Sequence, residues 1–223
     1  MEYNRITNIN DPLFKQMHQL MQEVFPPEEV LEFDLWKEPL EDPGIRVFVA
    51  VHEGRVVGAT EYRYYEDFNV AMTDFTIIGQ AGLGIGPFLA QKRLGDLHAL
   101  AEANGKKLLG MFAEVYDPYR VDHYEFGGIK PMNPYVRREV LAHLGYKRLD
   151  FPYVHPSWNN DGEAVTGLDL CFLPMDGEWK ELQTDLIVKF LKRYYTVLSN
   201  KPESWNKMIE NLEGKTTVSL LAL

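Results

Sequence analysis

The spacing of apolar residues along the chain predicts alternating strands and helices. Apolar positions three and four residues apart, as in Leu13, Met17, Leu20 and Val24, predict helices that bury one face. Alternating apolar residues predict strands. The predicted helices span 12–24, 28–39, 86–104, 136–144, 178–200 and 202–214. The predicted strands span 5–10, 44–67 (a hairpin), 70–78, 107–115, 146–150, 165–174 and 216–223, and this order indicates an α/β protein.

The C-terminal part of the chain is predicted to be an extension of a single domain. A chain of 223 residues can build one sizeable core. We expect residues 1–175 to form the domain and 176–223 to form a helical extension that packs on it. The extension has an apolar stripe that needs a partner surface, so it is also a candidate for a homodimer contact. The stripe consists of Leu182, Leu186, Phe190 and Tyr194.

A glycine-rich bend separates the strand at 70–78 from the helix at 86–104. Gly82, Gly84 and Gly86 allow a tight turn that brings backbone N–H groups close to a ligand. These N–H groups and the positive end of the helix dipole favour a phosphate, although a plain turn fits the spacing equally well. A Walker loop is excluded because Pro87 and Phe88 follow the last glycine, and the even glycine spacing disfavours a dinucleotide fingerprint.

The helix after the bend is predicted to bury one stripe and to expose its cationic side chains. Ala90, Leu94 and Leu97 lie at helical spacing with Ala101, and on this interpretation Lys92 and Arg93 point away from the stripe. Asn104 and Gly105 are predicted to end the helix in a left-handed cap.

Composition excludes several classes of function. The chain has 23 Lys and Arg against 33 Asp and Glu, a net charge of −10, and has no basic run, so we expect no nucleic-acid partner. None of the 6 histidines lies at a metal-ligand spacing, so no metal is expected. The absence of a signal peptide or a long apolar run predicts a cytoplasmic protein with no membrane partner.

The order of motifs through the middle of the chain resembles the GNAT acyltransferases, the Gcn5-related family. The matching pieces are AGLGIG at 81–86, the helix that follows, LLGMFAEV at 108–115 and VRREVLAHLGYKRLD at 136–150. The resemblance implies the GNAT acyl-CoA N-acyltransferase fold, a mixed, mostly antiparallel sheet flanked by helices. Two positions depart from the family pattern: Ala81 replaces an Arg or Gln, and Leu141 replaces a Tyr that protonates the leaving thiolate.

The same resemblance implies acetyl-CoA as co-substrate and assigns residues to it. The backbone of Thr76, Ile77 and Ile78 is expected to pair with the pantetheine amides, and Asn133 is expected to touch the pantetheine arm. The pyrophosphate is expected at a loop formed by Gln80, Ala81, Gly82, Leu83, Gly84, Ile85, Gly86 and Pro87.

Two residues near the end of the strand at 107–115 are the candidate catalytic groups. Glu114 matches the glutamate that some family members use as general base, with a pKa raised by desolvation for that task. A structural ion pair with Arg137 or Arg138 is the alternative. Tyr116 is preferred as the replacement for the missing family Tyr.

The segment 116–133 is longer than the usual family connection and resembles an insertion that could serve as a binding loop. Its Tyr119, His123 and Tyr124 are alternatives to Tyr116 as the proton donor. Two further carboxylates, Glu61 and Asp74, lie on predicted strands and are interpreted as surface groups in preference to groups of the cleft.

The resemblance implies an enzyme that transfers an acyl group, most simply acetyl, from coenzyme A to a primary amine by direct attack. The acceptor is expected to be a small-molecule or peptide amine, and its identity and the acyl chain are left open. A non-catalytic acyl-CoA sensor or scaffold of the same fold is the alternative, and a nucleotide-dependent oxidoreductase is a weaker rival.

Overall fold

A computed structural model describes residues 1–25, 30–120 and 133–223. The described residues divide into two compact units. The first comes from residues 1–111 and 133–137, and the second from 112–120 and 138–223. This division into two units does not test the predicted domain boundary at residue 175, which stays a prediction.

The first unit is an antiparallel meander with helices. Its strands are hydrogen-bonded in the order β1-β2-β3-β4, and each neighbouring pair is antiparallel. Its elements are β1 (Glu2–Ile6), α1 (Pro12–Val24), a 3-10 turn (Phe33–Trp36), α2 (Lys37–Glu41), β2 (Ile45–His52), β3 (Arg55–Tyr65), β4 (Val70–Ile78) and α3 (Ile85–Ala103).

Helices cover both faces of this meander, and this explains why β2 is buried along most of its length. Val47 and Val49 pack in the cluster that contains the buried face of α1. Ala50, which points to the opposite face, packs with Ile85 and Leu89 of α3. A strand with both faces covered carries apolar residues at consecutive positions, as the sequence of β2 does.

The turns and helix ends of the first unit follow their local sequence. Glu53 and Gly54 join β2 to β3 with φ of +50° and +77°, the left-handed pair that a two-residue hairpin turn requires. Asp11 Oδ1 accepts the Leu13 N–H at 2.8 Å and caps α1. Gly105, with φ of +64°, follows the end of α3 as predicted.

The second unit contains most of β5 (Gly110–Tyr116) and of α4 (Pro134–His143) and the rest of the chain. Its strands run in the order β5-β9-β6-β11-β10, and β7 and β8 form a separate pair. The Phe112 and Phe190 rings stack in its core with centroids 4.1 Å apart. Its other elements are β6 (Lys147–Leu149), β7 (His155–Pro156), β8 (Ala164–Val165), β9 (Leu168–Pro174), β10 (Glu181–Gln183), α5 (Thr184–Tyr194), a 3-10 turn (Tyr195–Val197), α6 (Glu203–Glu213) and β11 (Thr217–Ala222).

The predicted class, an α/β protein with a mostly antiparallel sheet flanked by helices, is confirmed, while several element bounds were wrong. The first strand is Glu2–Ile6 instead of 5–10. The long helix predicted from 178 begins at Thr184, because residues 181–183 pair with β11 as a strand. Among the described residues of 28–39, the helical structure is a 3-10 turn followed by the start of the short α2.

Candidate functional site

The glycine-rich bend of the first unit leads directly into α3. Gly82 and Gly84 have φ of +84° and +67°, and an added Cβ at either position would meet nothing within 4 Å. Gln80, Ala81 and Pro87 are exposed. The bend is therefore an open surface of backbone whose left-handed conformations favour glycine.

The N-terminus of α3 lacks the groups that usually satisfy a helix end. Gly84 is the N-cap residue, it offers no side-chain cap, and the first turn contains no acidic residue. The first intrahelical bond runs from Phe88 N–H to the Gly84 carbonyl at 3.1 Å. The N–H groups of Ile85 and Gly86 therefore have no acceptor within the helix, which is the arrangement that binds anions.

The strand that precedes the bend pairs with β3 through the residues assigned to pantetheine. Thr76, Ile77 and Ile78 lie opposite Thr60, Ala59 and Gly58 of β3, in that order. Ile77 is buried, and Thr76 and Ile78 are half-buried. Contact of these three residues with pantetheine stays a prediction.

The predicted orientation of Arg93 was wrong. The buried positions of α3 are Ile85, Leu89, Arg93, Leu97 and Ala101, a series at four-residue spacing that includes the arginine. Arg93 as a whole residue is 3% exposed. Its Nη1 lies within hydrogen-bond distance of three hydroxyls from β3 and β4 and can donate to two of them at a time, which makes the buried position tolerable. They belong to Thr76 at 2.7 Å, Thr60 at 2.9 Å and Thr73 at 3.1 Å.

Glu61 and Asp74 form a pair of acidic side chains in the first unit. The register between β3 and β4 shifts after Glu61, because Glu61 pairs with Phe75 while Tyr62 pairs with Thr73. Asp74 is therefore the extra residue of a β-bulge. Burial of Glu61 and the neighbouring Asp74 carboxylate raise the pKa of Glu61 well above its ordinary value. Sequence analysis interpreted both as surface groups, whereas Glu61 is half-buried.

Glu114 lies in a cluster of titratable side chains that belongs to the second unit. Its Oε1 accepts hydrogen bonds from the hydroxyls of Tyr153 and of Tyr195, the latter at 2.5 Å. The two hydroxyls are 2.7 Å apart. Its Oε2 faces His155 Nε2 at 3.4 Å. The predicted alternative partner Arg138 instead binds Asp169 at 3.0 Å.

The pKa shifts of this cluster follow from these contacts. Burial raises the pKa of Glu114. The His155 imidazole and the Tyr153 and Tyr195 hydroxyls lower it by a larger amount, so the net pKa lies below its ordinary value. Burial lowers the pKa of His155, and the Glu114 carboxylate raises it to a net value above the ordinary one. The expected rise in the pKa of Glu114 was therefore wrong, because His155, Tyr153 and Tyr195 stabilise the charged form by more than burial destabilises it.

The other assigned residues lie near the ends of elements. Tyr116 is the half-buried last residue of β5, and Tyr119 is 79% exposed. Asn133 is exposed and caps α4, with its Oδ1 accepting the Tyr135 N–H at 3.0 Å. His123 and Tyr124 lie outside the described residues. The roles of Tyr116 and Asn133 stay predictions.

The described residues contain neither a candidate metal site nor a candidate membrane span. No group of three or more His, Cys, Asp or Glu in that part of the chain is arranged to hold a metal ion. No helix in the ranges 1–25, 30–120 and 133–223 is long and apolar enough to cross a membrane.

Comparison with known proteins identifies the fold. No protein-family model and no curated protein matches the chain. A protein from Bacteroides thetaiotaomicron assigned to the GNAT family matches it with a TM-score of 0.59 and 13% identity, covering 90% of this chain and 98% of that chain. The chain therefore has the GNAT acyltransferase fold, as the motif order implied.

Two further acetyltransferase structures have a similar fold. An aminoglycoside 6'-N-acetyltransferase complexed with coenzyme A has a TM-score of 0.53 and 16% identity, covering 80% of this chain and 99% of its own. The ribosomal-protein-S18-alanine N-acetyltransferase from Escherichia coli has a TM-score of 0.51 and 11% identity, covering 80% of this chain and 97% of its own.

Proposed function

We propose that the protein is an acyl-CoA-dependent N-acyltransferase that transfers an acetyl group from acetyl-CoA to a primary amine. The observation that carries this proposal is the uncapped N-terminus of α3 behind an exposed glycine bend, on a GNAT fold. The complex of a similarly folded acetyltransferase with coenzyme A supports the choice of cofactor.

The bend has the chemistry that a coenzyme A pyrophosphate requires. The Ile85 and Gly86 N–H groups are donors at the positive end of α3, and the first turn holds no carboxylate that would repel phosphate. Open space at Gly82 and Gly84 lets a ligand approach the backbone. The backbone of β4 at 76–78 is the proposed partner of the pantetheine amides. Bound acetyl-CoA supplies a thioester that an amine can attack.

An amine acceptor needs a group that takes its proton. A primary amine with a pKa near 10.4 is about 99.9% protonated at pH 7, so its ammonium form must be deprotonated before attack. Glu114 is the proposed base, because its neighbours lower its pKa and keep its carboxylate ionised and able to accept a proton. Tyr116 is the proposed acid for the departing thiolate.

Calorimetric titration and turnover assays test this proposal. Coenzyme A should bind, and thiol release from acetyl-CoA should require an amine from a panel of an aminoglycoside, a polyamine and a peptide with a free N-terminus. NADP serves as a control nucleotide that should not bind. Absence of coenzyme A binding refutes the proposal. Binding without release for any amine favours the non-catalytic sensor of the same fold.

A further inference from the structure

The oxygen atoms around Glu114 are one proton short of a closed hydrogen-bonded ring. Three short contacts join Glu114 Oε1, Tyr153 Oη and Tyr195 Oη. Two neutral phenols supply only two protons to these three contacts. When both phenols donate to the carboxylate, the contact between the two hydroxyls has no proton in it. The ring can therefore take up one more proton.

The remaining contacts hold the carboxylate in place for this uptake. His155 Nε2 lies 3.4 Å from Oε2, where a protonated imidazole nitrogen holds the second carboxylate oxygen in place. His155 is 6% exposed and Tyr195 is 0% exposed, and both are therefore closed to solvent. Tyr153 is half-buried, which makes it the more accessible of the two phenols that bind Oε1.

We propose that Tyr153 carries the acceptor proton to Glu114, while His155 and Tyr195 act as positioning residues for the carboxylate. This inference rests on the proposed acyltransferase function. It assigns a reaction role to Tyr195, which lies in the segment predicted to be an accessory extension.

The transfer balances as follows. An N–H bond of the substrate ammonium breaks and a Tyr153 O–H bond forms, while the original Tyr153 O–H bond breaks and a Glu114 Oε1–H bond forms. The neutral amine then attacks the thioester. The amine nitrogen bonds to the acyl carbon, and the C–S bond then breaks to release the thiolate. The thiolate takes the proton of Tyr116, the proposed acid, and Tyr116 regains a proton from the second N–H of the adduct. The first proton returns from Glu114 through Tyr153 to water, which restores the carboxylate.

Within the described residues, the other side chains packed around the ring are not hydrogen-bonded to Glu114. Tyr194 on α5 is the other titratable side chain that raises the pKa of Tyr195, after burial, Glu114 and Tyr153. Trp158 packs edge-on against His155 at 5.9 Å and has no titratable proton in this range. The route therefore depends on Tyr153 and Glu114 themselves.

The test uses phenylalanine substitutions that keep each ring and remove its hydroxyl. Tyr153→Phe should lower kcat by about 10²- to 10⁴-fold, the usual contribution of a proton-transfer group, and leave the Kd for coenzyme A unchanged. Tyr195→Phe should lower kcat less, because the proton still enters at Tyr153. Tyr64→Phe, which removes a phenol bonded to Asn69 in the first unit, is the matched control and should not affect kcat.

A second readout does not require turnover. Carboxyl carbon NMR of labelled glutamate should show the pKa of Glu114 rising in both Tyr153→Phe and Tyr195→Phe, because each loses a donor to the charged form. Tyr153→Phe with wild-type kcat in a chain that binds coenzyme A overturns this inference and leaves the proposed function standing. Failure of wild-type coenzyme A binding overturns the proposed function instead.

A Tyr153→Phe variant that lacks a cooperative thermal transition is not folded. In that case the relay is tested on the wild-type protein. Rates measured in mixtures of light and heavy water should depend on the deuterium fraction along a curve, as two protons moving together require. A straight line overturns the relay through Tyr153.

Discussion

Gly84 is the position where the coenzyme assignment can be tested with one pair of isosteric substitutions. Gly84→Asp and Gly84→Asn add side chains of the same shape, and only the first adds a charge. The backbone has φ of +67°, and an added Cβ meets no atom within 4 Å. Both variants should fold, because a left-handed non-glycine residue costs about 1–2 kcal/mol, and less for Asp and Asn, against roughly 5–15 kcal/mol of total stability.

The charge effect on coenzyme binding can be estimated from Coulomb's law. A carboxylate and a phosphate charge about 4 Å apart repel by about 1 kcal/mol in water and about 4 kcal/mol near a protein surface. This corresponds to a Kd for coenzyme A that is roughly 5- to 1000-fold weaker in Gly84→Asp than in Gly84→Asn. The difference should shrink as salt is added, because the charges are exposed and ions screen them.

Isothermal titration calorimetry with coenzyme A at low and high salt measures this difference. Gly54→Asp is the matched control: Gly54 lies in the β2–β3 turn with φ of +77° and equally open space, so it adds the same charge and strain away from the bend. Its affinity should equal that of the wild type. Equal affinities for Gly84→Asp and Gly84→Asn, at low salt and in folded proteins, would refute the assignment of the pyrophosphate to this bend.

Three further predictions concern stability. Gly58→Ala would place a Cβ 2.5 Å from Ile85 Cγ2, and this overpacking should cost about 1–3 kcal/mol in chemical denaturation. Phe190→Ala removes the ring stacked on Phe112 and should cost about 3–5 kcal/mol, lowering Tm by roughly 6–20 °C. His155→Gln removes an ion pair. Because the pKa of His155 is raised when folded, the wild-type advantage in Tm should be full below its ordinary pKa of 6.5 and fall as pH rises through the folded pKa.

Controls separate these effects from general damage. Gly95→Ala, in α3, has open space around its Cβ and no positive φ, so it should not show the steric cost of the Gly58 variant. Val197→Ala, at a side chain 74% exposed, should be nearly neutral beside the Phe190 variant. At acid pH the His155 advantage should also be lost as pH falls through the lowered pKa of Glu114. A Tm difference that stays constant from about pH 4 to about pH 9 would contradict the ion-pair argument.

The parts of the fold that local chemistry determines could be predicted from the sequence. The hairpin turn at Glu53 and Gly54 and the end of α3 at Gly105 need left-handed backbone, and the residue types indicate it. The bounds of α5 could not be predicted this way. Residues 181–183 form a strand because they pair with β11, and helical periodicity does not reveal a pairing partner.

The side-chain clusters were hidden for a related reason. Arg93 looks like a surface residue because its hydroxyl partners come from β3 and β4, far from it in the chain. Glu114 meets Tyr153 and Tyr195, which are 39 and 81 residues further along. A motif could therefore identify Glu114 as a candidate base, but it could not reveal the neighbours that lower its pKa.

The hydroxyl of Tyr195 makes the last fifty or so residues a poor place to shorten or exchange. A protein cut at residue 175 would lose one of the two phenol donors to Glu114 along with α5 and the stacked Phe190 ring. Chimeras that take this segment from a different protein with the GNAT fold would need a tyrosine at the same position, or the pKa of Glu114 would change.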